Sequence, residues 1–414
     1  MEPKARGRSG GNLTREATGN VAWAVVAQVQ TPHFQKLVER LTGSFGACLL
    51  LTGEGFPRSG GRLTIELGPR YRRSSLASRL RSWLAFTVFT FRRLWRLPRG
   101  TLCLVTTNPP LLEPLCWALS RFRALRIVFL IWDLYPDHVV AAGLAGRLNP
   151  VVAAWRRLNR ASLKAAVTVI TIGERMAQRI AAQAWPGSTG APEVVMIPNW
   201  ADTHSIRPLQ KRLNDFAVEY GQVGKVTVLY SGNLGRSHSL AGLVEVAQRM
   251  QDLTEVGFLV VGGGESHHEI EREVRRRGLE NLRVLPWQPW DRVPLSLATA
   301  DIAVVSQAAA TGELSVPSRA YSFMAAGCAL VALTDDDSDL AALVKGGGVG
   351  LVCPPDDAEA LERCLRSLAR DADRLQTCRT RARQLAEERY SLDAAVARFE
   401  EALGSGQPAP RGRG

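Results

Sequence analysis

The chain has 414 residues, 46% of them hydrophobic, which is length enough for about two to three domains with cores of their own. No apolar run is long enough to cross a bilayer, and seven scattered cysteines without a CxxC pair exclude a disulfide framework and a cysteine zinc site. The net charge of +13 is uneven: residues 1–207 hold 28 Lys/Arg against 11 Asp/Glu, whereas residues 208–414 hold 24 against 28.

Residues 1–20 lack the apolar centre of a signal peptide and read as a disordered tail. Residues 21–30 suit a first strand, 34–41 a short helix and 46–51 a second strand. Residues 53–75, rich in Gly, Arg and Ser, read as a loop. Over 76–97 the spacing puts Leu76, Leu80, Trp83, Leu84, Val88, Phe91 and Trp95 on one helical face, with Arg79, Arg81, Arg92, Arg93 and Arg96 beside it. Such a helix either lies on an anionic membrane or covers a sheet. The strand at 101–105 follows at once and favours covering.

From there strands and helices alternate. The strand at 101–105 leads through Asn108-Pro109-Pro110 to a helix ending near 120. The strand at 126–131 ends in Trp132-Asp133-Leu134-Tyr135-Pro136-Asp137. A helix at 150–164, a strand at 167–171, a helix at 174–183 and a strand at 194–197 complete a first domain over 21–207. Alternation of this kind means a parallel sheet with helices on both faces, and ligands bind beyond the carboxyl ends of its strands. Asp133 and Asp137 stand at such an end; Asp137 reads equally as a helix cap after Pro136.

The pattern breaks over 208–225, which reads as a linker. A second alternating set begins at 226–231 and runs through helices at 239–250, 267–277 and 292–298, with strands at 257–261, 282–285 and 301–305. The stretch 311–333 places Glu313, Ser315 and Ser318 in a loop, Pro317 at a helix start, a helix over 319–326 and a buried strand after Gly327. A loop of hydrogen-bonding groups opening into a helix suits a polyol or an anion; a well-capped turn without ligand is the plainer reading. A strand near 349–352 and a helical C-terminus from 358 to 403 follow, so the second domain spans 226–403 and a flexible tail 404–414.

At 230–238 the sequence YSGNLGRSH joins a strand end to a helix start. Gly232 and Gly235 would let a ligand approach the backbone, and Arg236 and His238 add charge or hydrogen bonds, a combination suited to a diphosphate. It is neither a Walker loop nor a full GxGxxG.

The pieces TTNPPLL, WDLYPD, VITIGERMA, IPNWAD, YSGNLGRSHSL, LVVGGG, NLRVLPWQPW and SVPSRAYSFMAAG, in this order, resemble the family-4 retaining glycosyltransferases. The likeness is nearest to the branch that builds bacterial capsule, exopolysaccharide or O-antigen, including colanic-acid-type fucosyl and N-acetylfucosaminyl transferases. It covers roughly residues 20–403 and implies an α/β protein of GT-B fold, with two Rossmann-like parallel-sheet domains facing a cleft.

By position the resemblance implies a donor site of Gly232, Asn233, Leu234, Gly235, Arg236, His238, Trp287, Glu313, Ser315, Pro317, Ser318, Arg319 and Ser322. Asn108, Tyr135 and Asp137 would line the acceptor side, and Asp133, Glu313 and Arg236 would carry catalysis. Ser322 stands where many relatives have a second glutamate, and His238 where many have lysine. Thr31-Pro32-His33 replaces a glycine-rich loop. These departures leave open a second reading, a catalytically reduced nucleotide-sugar-binding protein.

The expected partners are a nucleotide-sugar and a lipid-linked or oligosaccharide acceptor. The basic half adds an anionic membrane surface as a candidate. Nucleic acid is not expected, since the arginines carry no recognisable motif. No cofactor and no metal are expected. Cysteines within apolar runs should be buried thiols of a reducing compartment, so a cytoplasmic protein is expected, with the inner face of the plasma membrane as the other place open to it. The enzyme reading requires a cavity between the lobes at Gly235 and Ser318.

Overall fold

The computed structural model describes residues 21–404 apart from 58–60, 73, 111, 147, 187–193, 236–240 and 308–311. The first lobe runs β1 (Trp23–Ala27), α1 (Pro32–Phe45), β2 (Cys48–Thr52), β3 (Leu63–Leu67), α2 (Leu76–Leu94), β4 (Leu102–Thr106), α3 (Leu112–Arg123) and β5 (Arg126–Ile131). It continues with α4 (Asp137–Ala141), α5 (Pro150–Ala165), β6 (Thr168–Thr171), α6 (Glu174–Ala184) and β7 (Val194–Met196). Its seven strands are all parallel, in the order β3-β2-β1-β4-β5-β6-β7. The order reverses between β1 and β4, the switch point where an open α/β sheet leaves a crevice.

The second lobe follows with α7 (Asp215–Glu219), β8 (Val226–Asn233), α8 (Ala241–Arg249), β9 (Val256–Gly263), α9 (His267–Arg276), β10 (Leu282–Leu285) and α10 (Val293–Ala298). Then come β11 (Ile302–Ser306), α11 (Arg319–Ala325), β12 (Ala329–Leu333), α12 (Asp339–Gly347) and β13 (Gly350–Cys353). The chain ends in α13 (Ala358–Arg370), α14 (Ala372–Arg389) and α15 (Leu392–Gly404). Its sheet is parallel too, ordered β10-β9-β8-β11-β12-β13, with the reversal between β8 and β11. The central strands β1, β2, β4, β11 and β12 are buried along their whole length, as continuous apolar runs in a sheet covered on both faces should be.

Four departures from expectation have local causes. Leu63–Leu67 is an edge strand inside the stretch read as loop; it pairs on one side only, and four of its five residues are partly exposed, so it lacks an apolar run. The stretch expected as a linker is packed: Phe216 is fully buried, and Asn214 both caps α7 and donates to the Leu295 carbonyl at 2.9 Å. The C-terminal helical stretch breaks at Asp371, whose carboxylate caps the next helix by accepting from Arg374 N–H at 2.9 Å, and again at Tyr390-Ser391.

The fourth concerns α15, expected with the second domain. It returns to the first lobe, where Phe399 and Leu403 pack in one core with Trp23, Phe34 and Leu37. The Phe399 ring meets Trp200 edge-on at 5.7 Å.

Helix α2 does cover the sheet, but not through the face its apolar spacing marks. Ser82, Phe86, Thr90 and Leu94 are the buried residues; Leu76, Leu80, Leu84, Val88, Phe91 and Trp95 point outward. Six cysteines are buried, Cys364 is half-buried, and all seven are free thiols.

Candidate active site

Three glycines shape the end of the second sheet. Strands β8 and β9 stay paired to Asn233 and Gly263, two residues further than the apolar run suggests. At Gly232, with φ +148°, a Cβ would stand 2.7 Å from Nη1 of Arg319. The Arg319 guanidinium lies 4.9 Å over the Tyr230 ring and donates to the Ser231 carbonyl at 3.4 Å. At Gly263 a Cβ would stand 2.7 Å from the Trp287 indole, which leans on the bare backbone and stays 58% exposed. A cation and an aromatic plane thus flank the same two strand ends. Gly262, between those paired ends, leaves no room at all: a Cβ there would fall 1.9 Å from the Gly232 carbonyl oxygen.

Not every residue of the 232–235 segment faces outward. Leu234 is fully buried, and its N–H is taken by the Gly263 carbonyl at 2.9 Å. It therefore offers no amide to a diphosphate, contrary to its place among the donor-site candidates. Asn233 gives its carbonyl to the Tyr230 hydroxyl at 3.0 Å. Gly235 is half-buried at the end of this segment. Arg236 and His238 lie outside the described residues.

The 312–318 loop is held by both lobes. Its Leu314 carbonyl accepts from Leu134 N–H at 3.3 Å, and its Val316 carbonyl from Asn199 Nδ2 at 3.3 Å. Gln307, from the second lobe, donates to the Ser315 carbonyl at 2.5 Å. Glu313 reaches into the first lobe, where Arg179 donates to its Oε2 at 2.6 Å and Arg175 stands 3.9 Å from Oε1. Pro317 is half-buried and its carbonyl accepts from Ala320 N–H, which tightens the turn into α11. Ser318 is exposed and already helical in backbone, with no side-chain cap. Ser322 is half-buried on α11 between buried Tyr321 and Phe323.

Across the cleft, the β5 end splits its acids between two tasks. Asp133 is partly exposed, and its N–H is fixed by the Thr107 hydroxyl at 3.3 Å. His138 Nε2 stands 3.4 Å from Asp133 Oδ1 and 3.2 Å from the Leu314 carbonyl, so one imidazole nitrogen touches both lobes. Asp137 is buried and saturated: Arg156 donates to Oδ1 at 2.6 Å, Gln183 to Oδ2 at 2.7 Å, and Arg179 stands at 3.6 Å. Burial alone would raise its pKa; the bonds from Gln183 and Arg156 and the nearby guanidiniums hold it below the usual carboxylate range. Asp137 ties α4 to α5 and α6; it is not the helix cap weighed from sequence, since Pro136 holds the cap position and no side-chain cap bond is made there.

Tyr135 stacks on Trp155, with ring centroids 6.1 Å apart and planes 4° from parallel, and burial pushes its phenol pKa well up. Asn108 gives its carbonyl to Gln28 N–H at 3.3 Å and precedes a cis proline. Its Oδ1 is buried and unpaired, as are Trp132 Nε1 and His33 Nδ1 at the neighbouring strand ends. At the β1–α1 turn, Thr31 caps α1 by accepting from Phe34 N–H at 3.3 Å, so a closed helix start occupies the place of a glycine-rich loop. Sequence reasoning passed over His138 and Arg179. His138 had a signal, one residue beyond an aspartate at a strand end; Arg179, inside a helical run, had none.

A cavity of about 690 Å³ opens between the lobes, lined by Asp137, Arg156, Arg179, Glu313, Asp337 and Ser338 among others. It lies on the α6 side of the 312–316 loop. Neither Gly235 nor Ser318 lines this cavity, which belongs to the ion-paired side of the cleft. No group of three or more metal-ligating side chains occurs among the described residues.

Residues 214–385 match the family of Glycosyl transferases group 1. The chain is a glycosyltransferase. The transferase is 24% identical over 344 residues to WbjE of Pseudomonas aeruginosa, named as a glycosyltransferase, covering 80% of this chain and 84% of that one. It is 26% identical over 324 residues to WcaI of Escherichia coli K12, whose name assigns it to colanic acid biosynthesis, covering 75% and 77%. Its two facing parallel-sheet lobes are the GT-B fold. They superpose on Anabaena HepE, crystallised with UDP, with a TM-score of 0.67 at 13% identity, over 93% of the transferase and 100% of that chain.

Proposed function

We propose that the protein moves a sugar from a nucleoside-diphosphate donor to a lipid-linked or oligosaccharide acceptor in the synthesis of a cell-surface polysaccharide, with retention of configuration. The observation that carries this reading is the pairing of Arg319 at Gly232 with Trp287 at Gly263. The guanidinium is placed for the phosphates and the indole for the base, each against backbone that has no Cβ in the way. The resemblance in motif order and the relatives named for glycosyl transfer and colanic acid support the polysaccharide context. The UDP complex of HepE makes UDP the first nucleotide to try.

In the reaction, the bond from the anomeric carbon to the terminal phosphate oxygen breaks. A bond from that carbon to the acceptor oxygen forms on the same face, and the acceptor proton passes to the leaving phosphate. Charge grows on the diphosphate, so a fixed cation there lowers the barrier. Arg319 fills that role, and Arg236 and His238 remain proposed beside it. Asp133, with His138 against it, is proposed to face the acceptor hydroxyl. Glu313, Ser315, Ser318 and Ser322 are proposed to face the sugar or ribose. No metal and no cofactor are proposed for the step.

The ion pair between Glu313 and Arg179 favours one alternative, a catalytically reduced binding protein, since it engages the acid expected to meet the donor. Calorimetry with UDP, GDP, dTDP and their sugar conjugates, followed by transfer of radiolabelled sugar to a lipid-extract acceptor, separates the two. Binding with transfer supports the enzyme. Binding with no transfer to any acceptor supports the alternative. Absence of nucleotide binding removes both.

A further inference from the structure

We infer that the outward face of α2 is a docking surface for an anionic phospholipid bilayer. Leu76, Leu80, Leu84, Val88, Phe91 and Trp95 recur every three or four residues and are each between 41% and 65% exposed. They are six of the nineteen exposed large hydrophobic residues among those described, five on α2 and the sixth, Trp95, at its C-terminal cap. Single exposed apolar residues are ordinary; a row along one helix is not. The row extends onto α3, where Phe122 is exposed and the Arg123 guanidinium lies 5.6 Å from the Trp95 ring centroid.

Charge decides the occupant. Residues 68–165 hold 17 Lys/Arg and 3 Asp/Glu. Of those three acids, Glu113 and Asp137 are buried and Asp133 stands at the cleft. Arg81, Arg92, Arg96 and Arg121 are exposed alongside the apolar row. A second copy of this chain would bring two such basic faces together, which Coulomb repulsion opposes. A bilayer carrying acidic headgroups satisfies both features, the row entering the headgroup–acyl boundary and the arginines meeting phosphate. A helix of 19 residues lying flat presents about 28 Å of this surface.

The orientation is useful to an acceptor held in lipid. Gln28, at the end of β1, donates to the carbonyls of Pro69 and Ser82, so the first turns of α2 sit at the carboxyl end of the first sheet. Tyr71 and Arg79 there lie close enough to Tyr135 to influence its ionisation. A bilayer against α2 therefore borders the mouth of the cleft. The docking itself does not rest on the proposed transfer, because vesicle binding is read without substrate.

The test is flotation of the full chain with vesicles of phosphatidylcholine alone or of equimolar phosphatidylcholine and phosphatidylglycerol. The chain should float with the anionic vesicles and stay behind with the neutral ones. Leu84→Glu with Val88→Glu, at exposed positions, should abolish flotation while leaving the thermal melt in place. Arg92→Gln with Arg96→Gln keeps the apolar row; at roughly fivefold per basic residue it should weaken partitioning by about 25-fold. This second pair decides the matter should the first fail to fold. No flotation of the unaltered chain, equal flotation with both vesicle types, or flotation undiminished in both variants would overturn the inference. So would sedimentation showing a dimer that Leu84→Glu with Val88→Glu splits, since a second copy would then cover the face.

Discussion

The Asp339 carboxylate of the second lobe stands where Gly173 of the first has no side chain. A Cβ on Gly173 would fall 2.2 Å from Asp339 Oδ2, and Asp339 Oδ1 accepts from the Arg175 N–H at 3.1 Å. Helix α6 thus takes its N-cap from the opposite lobe, its own Gly173 offering none. Three further contacts run alongside: Arg179 to Glu313, Arg175 to Asp337, and His138 to the Leu314 carbonyl. This arrangement ties the two lobes together beside the cavity on the α6 side.

Asp339→Ala should therefore act between the lobes as well as on α6. Loss of a cap costs about 1 kcal/mol of stability. The distinctive outcome is a larger radius of gyration in solution scattering, since the lobes lose a shared bond. Gly173→Ala, which collides with the carboxylate, should give the same expansion. Scattering curves that superpose on those of the unaltered chain would show that the cap does not hold the lobes.

Acid should weaken the tie between α1 and the segment after β7 at Asp202. Burial would raise this carboxyl, but the hydrogen bond from Lys36 at 2.5 Å, amide bonds at Ser205 and the Lys36 charge hold it down to about 2, below its ordinary 3.8. A depressed carboxylate contributes stability that is present above 3.8 and fades as pH falls through about 2. Lys36 is partly in water, so the contribution is roughly 1–2 kcal/mol. Asp202→Asn should lower stability by that amount at pH 7 and make little difference near pH 2, measured by urea unfolding across pH. A pH-independent difference would point to lost packing instead.

Donor binding should depend on the two side chains that lean on glycine. Trp287→Ala removes a stacking plane worth about 1–3 kcal/mol, so UDP affinity measured by calorimetry should fall roughly tenfold or more. Arg319→Ala should weaken UDP more than uridine, since the cation serves the phosphates. Gly232→Ala, which drives a methyl into the guanidinium at a φ that disfavours side chains, should resemble Arg319→Ala. Equal losses for UDP and uridine on changing Arg319 would place that residue elsewhere.

Phe399→Ala should destabilise the first lobe, far from it in sequence. The ring is fully buried against Trp200 in the core built around Trp23 and Phe34. Its removal should cost about 3–5 kcal/mol in urea unfolding. A cost below about 1 kcal/mol, the range of surface changes, would mean that α15 is only loosely laid on the lobe.

Much of the fold was legible because its central strands are apolar on both faces, a signal that needs no partner to be seen. The edge strand Leu63–Leu67 was not, since half its character is set by one neighbour. For α2 the periodicity located an apolar face correctly but carried no information on which face meets the sheet. Gly232 was readable as part of a strand-end motif, whereas Arg319 and Trp287 entered only through the resemblance. The bonds that join the lobes were not legible, because Arg179 and Glu313 are 134 positions apart and neither sits in a local pattern that announces the other.

The chain passes between the lobes twice, and the two passages touch. Ala201 and Ser391 form a parallel bridge, with Ala201 N–H bonded to the Tyr390 carbonyl at 2.9 Å. Two backbones clamped side by side bend readily about one line and resist twisting or parting about any other. Any opening of the cleft must bend both backbones together at this bridge. The first lobe cannot be cut out as one continuous piece of sequence, because α15 completes it only after the whole second lobe has been made.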